Sequence, residues 1–178
     1  METDLNRIKQ LSEKKEDENW QFRAFLKRSD MPLERIDRMV HRLYERISSQ
    51  MDCKSCANCC KKMRVALDEE DIEKLSKGLG ISAVRFRKQY LVPGDESDGF
   101  VFKEKPCPFL QDNRCFHYTD RPKECKSYPH LHKNDFVFRL IGVIHNSSIC
   151  PIVFNVYEYL KAEIWHIEDF EYFDDFDH

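Results

Sequence analysis

At 178 residues the chain is long enough for one domain with a helical extension, on a prior of ~150 residues per domain. Charged residues make up 34% and apolar ones 41%, and no apolar run approaches the ~20 residues a bilayer requires, so a membrane-spanning protein is excluded. A net charge of −3 gives no basic footprint for nucleic acid, and Met1-Glu2-Thr3-Asp4 opens no export signal, so a cytoplasmic protein is expected.

In chain order, residues 1–30 are dense in mixed charge. Leu5, Ile8, Leu11, Trp20, Phe22 and Phe25 fit helical spacing only loosely, which predicts a solvated charged helix. Ser29-Asp30 with Pro32 and Glu34 is a helix start. Leu33, Ile36, Met39, Val40, Leu43, Tyr44 and Ile47 then recur at helical spacing, so an amphipathic helix over 32–49 leads into a cysteine cluster. Arg64–Leu67 reads as a short strand. Asp68 caps a helix over 69–77 that ends at Gly78, Ser82 caps another near 83–90, and residues 93–99 form a loop. Phe100–Lys103 and Phe136–Ile144 are expected to pair as strands, with a cysteine- and proline-rich stretch, 105–129, between them. From Pro151 a helix runs to about residue 167, and an acidic tail follows. The expected class is α+β: a helix-rich single domain with a short two- to three-stranded sheet and an irregular cysteine/proline-rich metal-binding core. Its expected organisation is an N-terminal helical extension over 1–49, a metal-binding domain over 50–167 and an acidic tail over 168–178.

Sulfur is the unusual feature. The eight cysteines are Cys53, Cys56, Cys59, Cys60, Cys107, Cys115, Cys125 and Cys150. A reducing cytosol disfavours disulfides, and thiols at short regular intervals are then metal ligands. Cys53-Lys54-Ser55-Cys56-Ala57-Asn58-Cys59-Cys60 contains overlapping C-x-x-C knuckles, whose two-residue spacing lets a tight turn aim thiolates at one ion. A lone cysteine is as well explained as a small buried hydrophobe; the cluster is not. Cys107-Pro108 and Cys150-Pro151 have the Cys-Pro form that closes a ferredoxin-type ligand run, but four thiolates suit tetrahedral zinc equally. Thiolate softness excludes Mg²⁺ and Ca²⁺ and leaves zinc or an iron–sulfur cluster. Adjacent side chains diverge, so Cys59 and Cys60 are expected to face two metals or to include one bystander. Pro151 suits the first position of a helix, which puts Cys150 at its N-cap, where a thiolate is favoured, so Cys150 is expected to close a metal site and all eight cysteines are expected ligands.

Other patterns carry less. Gly78-Leu79-Gly80-Ile81-Ser82-Ala83 satisfies a dinucleotide-binding pattern but follows a helix, so its glycines are read as helix C-caps. His117, His130 and His132 are candidate substitutes for a thiolate, or simple neighbours of one. Asp120, Arg121, Lys123 and Glu124 offer a polar pocket, although a capped short helix at Thr119–Pro122 explains them without function.

Three further segments complete an ordered pattern after Cys53-x-x-Cys56-x-x-Cys59-Cys60. They are Cys107-Pro108-Phe109-Leu110, then Cys115-x-x-Tyr118-x-x-Arg121-Pro122-x-x-Cys125, then Tyr128-Pro129. Together with Val65-x-Leu67, Gly80-Ile81, Phe86 and Tyr90, they resemble the CxxCxxCC cysteine-cluster family over about residues 50–155. The resemblance implies a zinc- or iron-chelating domain, distantly related to flagellin lysine N-methylases. The expected function is therefore a cytoplasmic zinc- or iron(-sulfur)-binding protein. The alternative is an iron–sulfur enzyme, methylase-like or oxidoreductase-like, that modifies a protein substrate. A protein partner or substrate is expected, and neither nucleic acid nor membrane.

Overall fold

Asp4 accepts the Arg7 N–H at 2.8 Å and so caps the first helix, α1 (Leu5–Lys14). There follow α2 (Glu16–Arg28), α3 (Leu33–Ser48), the short α4 (Cys53–Cys56) and α5 (Asn58–Lys62), β1 (Ala66–Leu67), α6 (Glu69–Gly78) and α7 (Ala83–Tyr90). The strands β2 (Leu91–Pro93), β3 (Phe100–Phe102), β4 (Leu110–Gln111) and β5 (Arg114–Cys115) come next. The chain then enters α8 (Lys123–Ser127), a 3-10 turn (Phe136–Arg139), α9 (Leu140–Ser147) and α10 (Pro151–Ile164). The structure, a computed structural model, describes residues 1–95 and 99–165, so the acidic tail expected over 168–178 lies outside the described residues. The class is α+β, helix-rich with two small antiparallel sheets. Among the described residues no helix is long and apolar enough to cross a membrane.

The described residues divide into two compact units, one formed by Met1–Met51 with the chain from Pro129 onward, the other by Asp52–Tyr128. The first is all helical. The stripe Ile36, Val40, Leu43 and Ile47 of α3 is buried, as are Ile152, Val153, Val156, Tyr157 and Leu160 of α10, which packs on it. The N-terminal segment is not the solvated helix expected: α1 and α2 bury Ile8, Phe22 and Leu26. Those three carry the packing, while Trp20 and Phe25 stay exposed. The Phe22 ring lies 5.5 Å from both Tyr157 and Trp165.

Residues 136–144, expected as a strand, are helical instead. The Asp37 carboxylate on α3 accepts the N–H groups of Asp135 (2.8 Å) and Phe136 (3.0 Å), with Asp135 in the left-handed region at φ 62°, and this turn starts a helix. Leu140, Val143, Ile144 and Ser147 then fall on one buried face. A short apolar run does not by itself distinguish strand from helix; here the buried carboxylate decides.

In the second unit β3 pairs not with 136–144 but with β1 and β2, both antiparallel, with Val101 opposite both Ala66 and Val92. Its core gathers Leu67, Ile72, Leu75, Phe86, Leu91, Phe102 and Phe109. The Phe109 ring sits 5.3 Å from Tyr90 and 5.6 Å from Phe102, so the core grips the chain two residues beyond Cys107. Between α6 and α7 the glycine reading holds for Gly80, whereas Gly78 is the last helical residue of α6 and Leu79 stands at its C-cap. Gly80 has φ 66°, Ile81 N–H bonds Ser76 O (3.0 Å) and Gly80 N–H bonds Lys77 O (3.1 Å), a Schellman ending and not a nucleotide loop.

Candidate metal centre

The cysteine knuckles are built by two short helical turns. Asp52 accepts the Lys54 N–H at 2.9 Å and starts α4; its last turn closes through Ala57 N–H to Cys53 O at 3.3 Å. Ala57 has φ 48°, an uncommon conformation for a residue with a Cβ, and it breaks the helix so that α5 restarts at Asn58 in a new direction. Cys53 is exposed; Cys56, Cys59 and Cys60 are half-buried.

The distal thiols arrive on separate elements. Cys107 donates its N–H to the carbonyl of Cys60 at 2.8 Å. Cys115 lies on a two-residue hairpin in register with Leu110; Asp112 (φ 49°) and Asn113 (φ 60°) supply the positive φ angles that this tight turn needs. Cys125 lies in α8, whose entry differs from the capped helix expected at Thr119–Pro122. Pro122 stands at the N-cap, and the acceptor for the first helical N–H, Lys123, is Asp71 Oδ1 on α6 at 3.1 Å. The Lys123 ammonium also bonds Asp68 at 2.7 Å, which ties α8 to the start of α6.

Electrostatics reveals which thiols are neighbours. The Cys125 thiol is pushed up to about 12, by burial and then by Cys60, Cys107 and Cys115. Cys107 rises to about 11, by burial and then by Cys60 and Cys115. Cys115 is also raised, by burial and by Cys60. Cys60, Cys107, Cys115 and Cys125 thus form one mutually interacting set. Cys53 is raised by burial and by Cys56, which makes a second pair, and α4 packs near β5. Cys60 moves the other way, down to about 7, because Cys59 hydrogen-bonds to its sulfur and Arg121 lies close. The adjacent side chains therefore do not diverge as expected: rotation about each Cα–Cβ bond brings the two sulfurs together. Among the described residues no three Cys, His, Asp or Glu side chains stand close enough to hold an ion as they are. The thiols are neighbours by electrostatics, not yet ligands by distance.

The other candidates belong to the first unit or serve packing. Cys150 belongs to the first unit, buried at the N-cap of α10 with Pro151 at the first helical position, as its sequence predicts. His130 and His132 belong to that unit too; the His130 carbonyl accepts from Arg139 at 2.6 Å, and the His132 ring lies 6.2 Å from Tyr44. His117 is in the second unit, edge-on to Phe109 at 5.2 Å and to Phe116 at 5.4 Å. Its Nδ1 would lie 3.4 Å from a Cβ added to Gly78, an ordinary van der Waals contact.

One residue was underrated by the sequence reading. Arg121 stacks on the Tyr118 ring at 4.0 Å, its Nε is buried without a hydrogen-bond partner, and its charge acts on Cys53, Cys60, Cys115 and Cys125. The spacing Tyr118-x-x-Arg121 between two cysteines was the available signal.

Residues 52–144 match the family described as CxxCxxCC, "Putative zinc- or iron-chelating domain". The chain belongs to the CxxCxxCC family. The matched segment spans seven of the eight cysteines and stops short of Cys150. No curated protein and no solved structure matches the chain, so the comparisons lend nothing to the relation with flagellin lysine N-methylases. The donor set fits the family's description: soft thiols match zinc and iron and are poor partners for magnesium or calcium.

Proposed function

We propose that this CxxCxxCC protein binds zinc or iron through thiolates of its second unit, with Cys60, Cys107, Cys115 and Cys125 as the principal ligand set. The observation that carries this reading is the mutual interaction of those four thiols, brought from α5, the loop before β4, β5 and α8. No one of these segments has enough regular structure to fix its own sulfur, which is the situation in which a metal organises a loop-rich fold. Cys53, Cys56 and Cys59 are the second set, adjoining the first through Cys59 and Cys60. Bound there, the metal would cross-link four segments and lower the proton affinity of its ligands.

Cys150 enters this proposal only through its N-cap position, where helix N–H groups favour a thiolate. A reducing compartment such as the cytoplasm suits the centre, because the thiols must stay unoxidised to ligate. With a net charge of −3, the macromolecule that the protein meets is proposed to be another protein and not nucleic acid.

Elemental analysis with an absorption spectrum of anaerobically purified protein tests this reading. Stoichiometric zinc in a colourless sample, or iron in one, supports it. Iron with labile sulfide in a brown sample shifts it to the iron–sulfur form, the starting point for an enzyme acting on a protein substrate. Protein that neither contains nor takes up either metal overturns it.

A further inference from the structure

We propose that Arg121 is the counter-cation of the thiolate centre, a positioning residue shared by both sets of cysteines. The inference rests on the metal-binding reading above and goes beyond it by assigning a side chain that contributes no ligand. Four thiolates around a divalent ion leave two negative charges over, and such charge in a half-buried site is costly unless a cation stands beside it.

Arg121 is placed for that task in three respects. It lies in sequence between Cys115 and Cys125, so the chain segment that delivers those two thiols delivers the guanidinium with them. Its guanidinium is seated over the Tyr118 ring at 4.0 Å, and Lys54 approaches the same ring at 4.9 Å. Its Nε is buried and takes no acceptor from the protein, although the usual partner of a buried arginine is a carboxylate or a carbonyl. A buried N–H donor left over on a side chain between two cysteines is what a metal-bound thiolate could accept from its surroundings, and such outer contacts tune both affinity and geometry.

Its reach also crosses the division between the sets: it acts on Cys53 of the knuckle and on Cys60, Cys115 and Cys125 of the principal set. Because a guanidinium does not deprotonate in proteins, the compensation persists at any working pH, which a lysine or histidine would not guarantee.

The experiment uses the full chain, made metal-free and titrated anaerobically with cobalt(II). The thiolate-to-metal charge-transfer band reports ligation, and competition with a chelator gives the affinity. Arg121→Gln, which keeps size and some hydrogen bonding but loses the charge, is expected to weaken cobalt binding by about tenfold or more. Arg121→Lys, which restores the charge, is expected to recover most of that loss. Equal affinity for wild type and Arg121→Gln overturns the proposal. So does Arg121→Lys binding as weakly as Arg121→Gln, since shape and not charge would then be the requirement. Should Arg121→Gln fail to fold, Arg121→Lys against wild type still decides: near-equal affinity supports the counter-cation, and loss of binding removes it. A wild-type chain that takes up no cobalt or zinc instead defeats the metal-binding reading itself.

Discussion

Cys107 gives its backbone N–H to the carbonyl of Cys60 at 2.8 Å, and through this bond the vicinal end of the knuckle is held against the Cys-Pro turn. The two segments are far apart in sequence, and neither carries regular structure of useful length. The bond brings together backbone, not sulfur. The sulfurs then come within electrostatic reach of each other and of Cys115 and Cys125.

From this follows the first prediction. Cys60→Ser and Cys125→Ser are each expected to lower metal affinity by two orders of magnitude or more, about 3 kcal/mol at ~1.4 kcal/mol per tenfold. Cys53→Ser, in the exposed turn, is expected to cost much less. Chelator competition on the three variants measures this; equal losses would mean a single set spanning the knuckle and the distal thiols.

Removing the metal is expected to loosen residues 105–128 and to leave the helical first unit unchanged. The basis is that the distal loops lie in the second unit, whereas α3 and α10 pack through apolar side chains in the first. Hydrogen exchange with and without chelator checks it. Faster exchange throughout α10 would contradict it.

Cys150→Ala is expected to leave metal content as in the wild type and to cost about 1 kcal/mol of stability, because a small buried side chain is trimmed at the start of α10. Metal content and a denaturation curve on the same sample give both numbers. Loss of metal would add Cys150 to the ligands.

The first unit contains a buried cation. Lys161 bonds Glu18 at 2.5 Å and Asn19 at 2.9 Å and pairs with Glu158, with its own side chain only 2% exposed. Lys161→Ala is expected to destabilise this unit by about 2–4 kcal/mol, short of the largest buried-pair losses because both glutamates keep some contact with water. Lys161→Met, which refills the volume, should recover part of it. Chemical denaturation of both variants provides the comparison.

Alkaline stability has a definite sign. Burial pushes the Tyr157 hydroxyl above its ordinary value of 10.0, and the hydroxyl donates to Asn19 O at 3.1 Å. The unfolded chain therefore ionises this tyrosine first. Its contribution is whole below pH 10.0 and is lost as pH rises above that value toward the folded one. Tyr157→Phe should be less stable at neutral pH by about 1 kcal/mol and show a shallower decline above pH 10, which unfolding curves across that range would measure.

Local chemistry made much of this protein legible. Side-chain caps at Asp68 and Ser82, the stripe of α3, Pro151 at the start of α10 and the glycine ending of α6 all act within a few residues, and each formed where the sequence put it. The knuckle spacing and the ordered motifs likewise sufficed to mark about residues 50–155 as resembling a chelating domain, and the family match covers 52–144.

What failed was longer in range. Phe136–Ile144 became helix because a carboxylate from α3, distant in sequence, accepts the N–H groups that start it. The mixed charge of residues 1–30 predicts a solvated helix, yet Ile8 and Phe22 are fully buried, since the face they meet is supplied by the other end of the chain.

By itself, then, the sequence determined the chemistry on offer: eight thiols, two of them vicinal, and therefore a preference for soft metals that belongs to sulfur in any fold. Only the tertiary structure decided which thiols are neighbours. It brought Cys60, Cys107, Cys115 and Cys125 within electrostatic reach of one another and stacked Arg121, whose charge acts on three of them, on Tyr118. Spacing along a chain fixes sulfur positions only over a turn or two. Beyond that, grouping depends on the backbone bond of Cys107 to Cys60, which joins segments distant in sequence, and on the apolar grip of Phe109 by Tyr90 and Phe102.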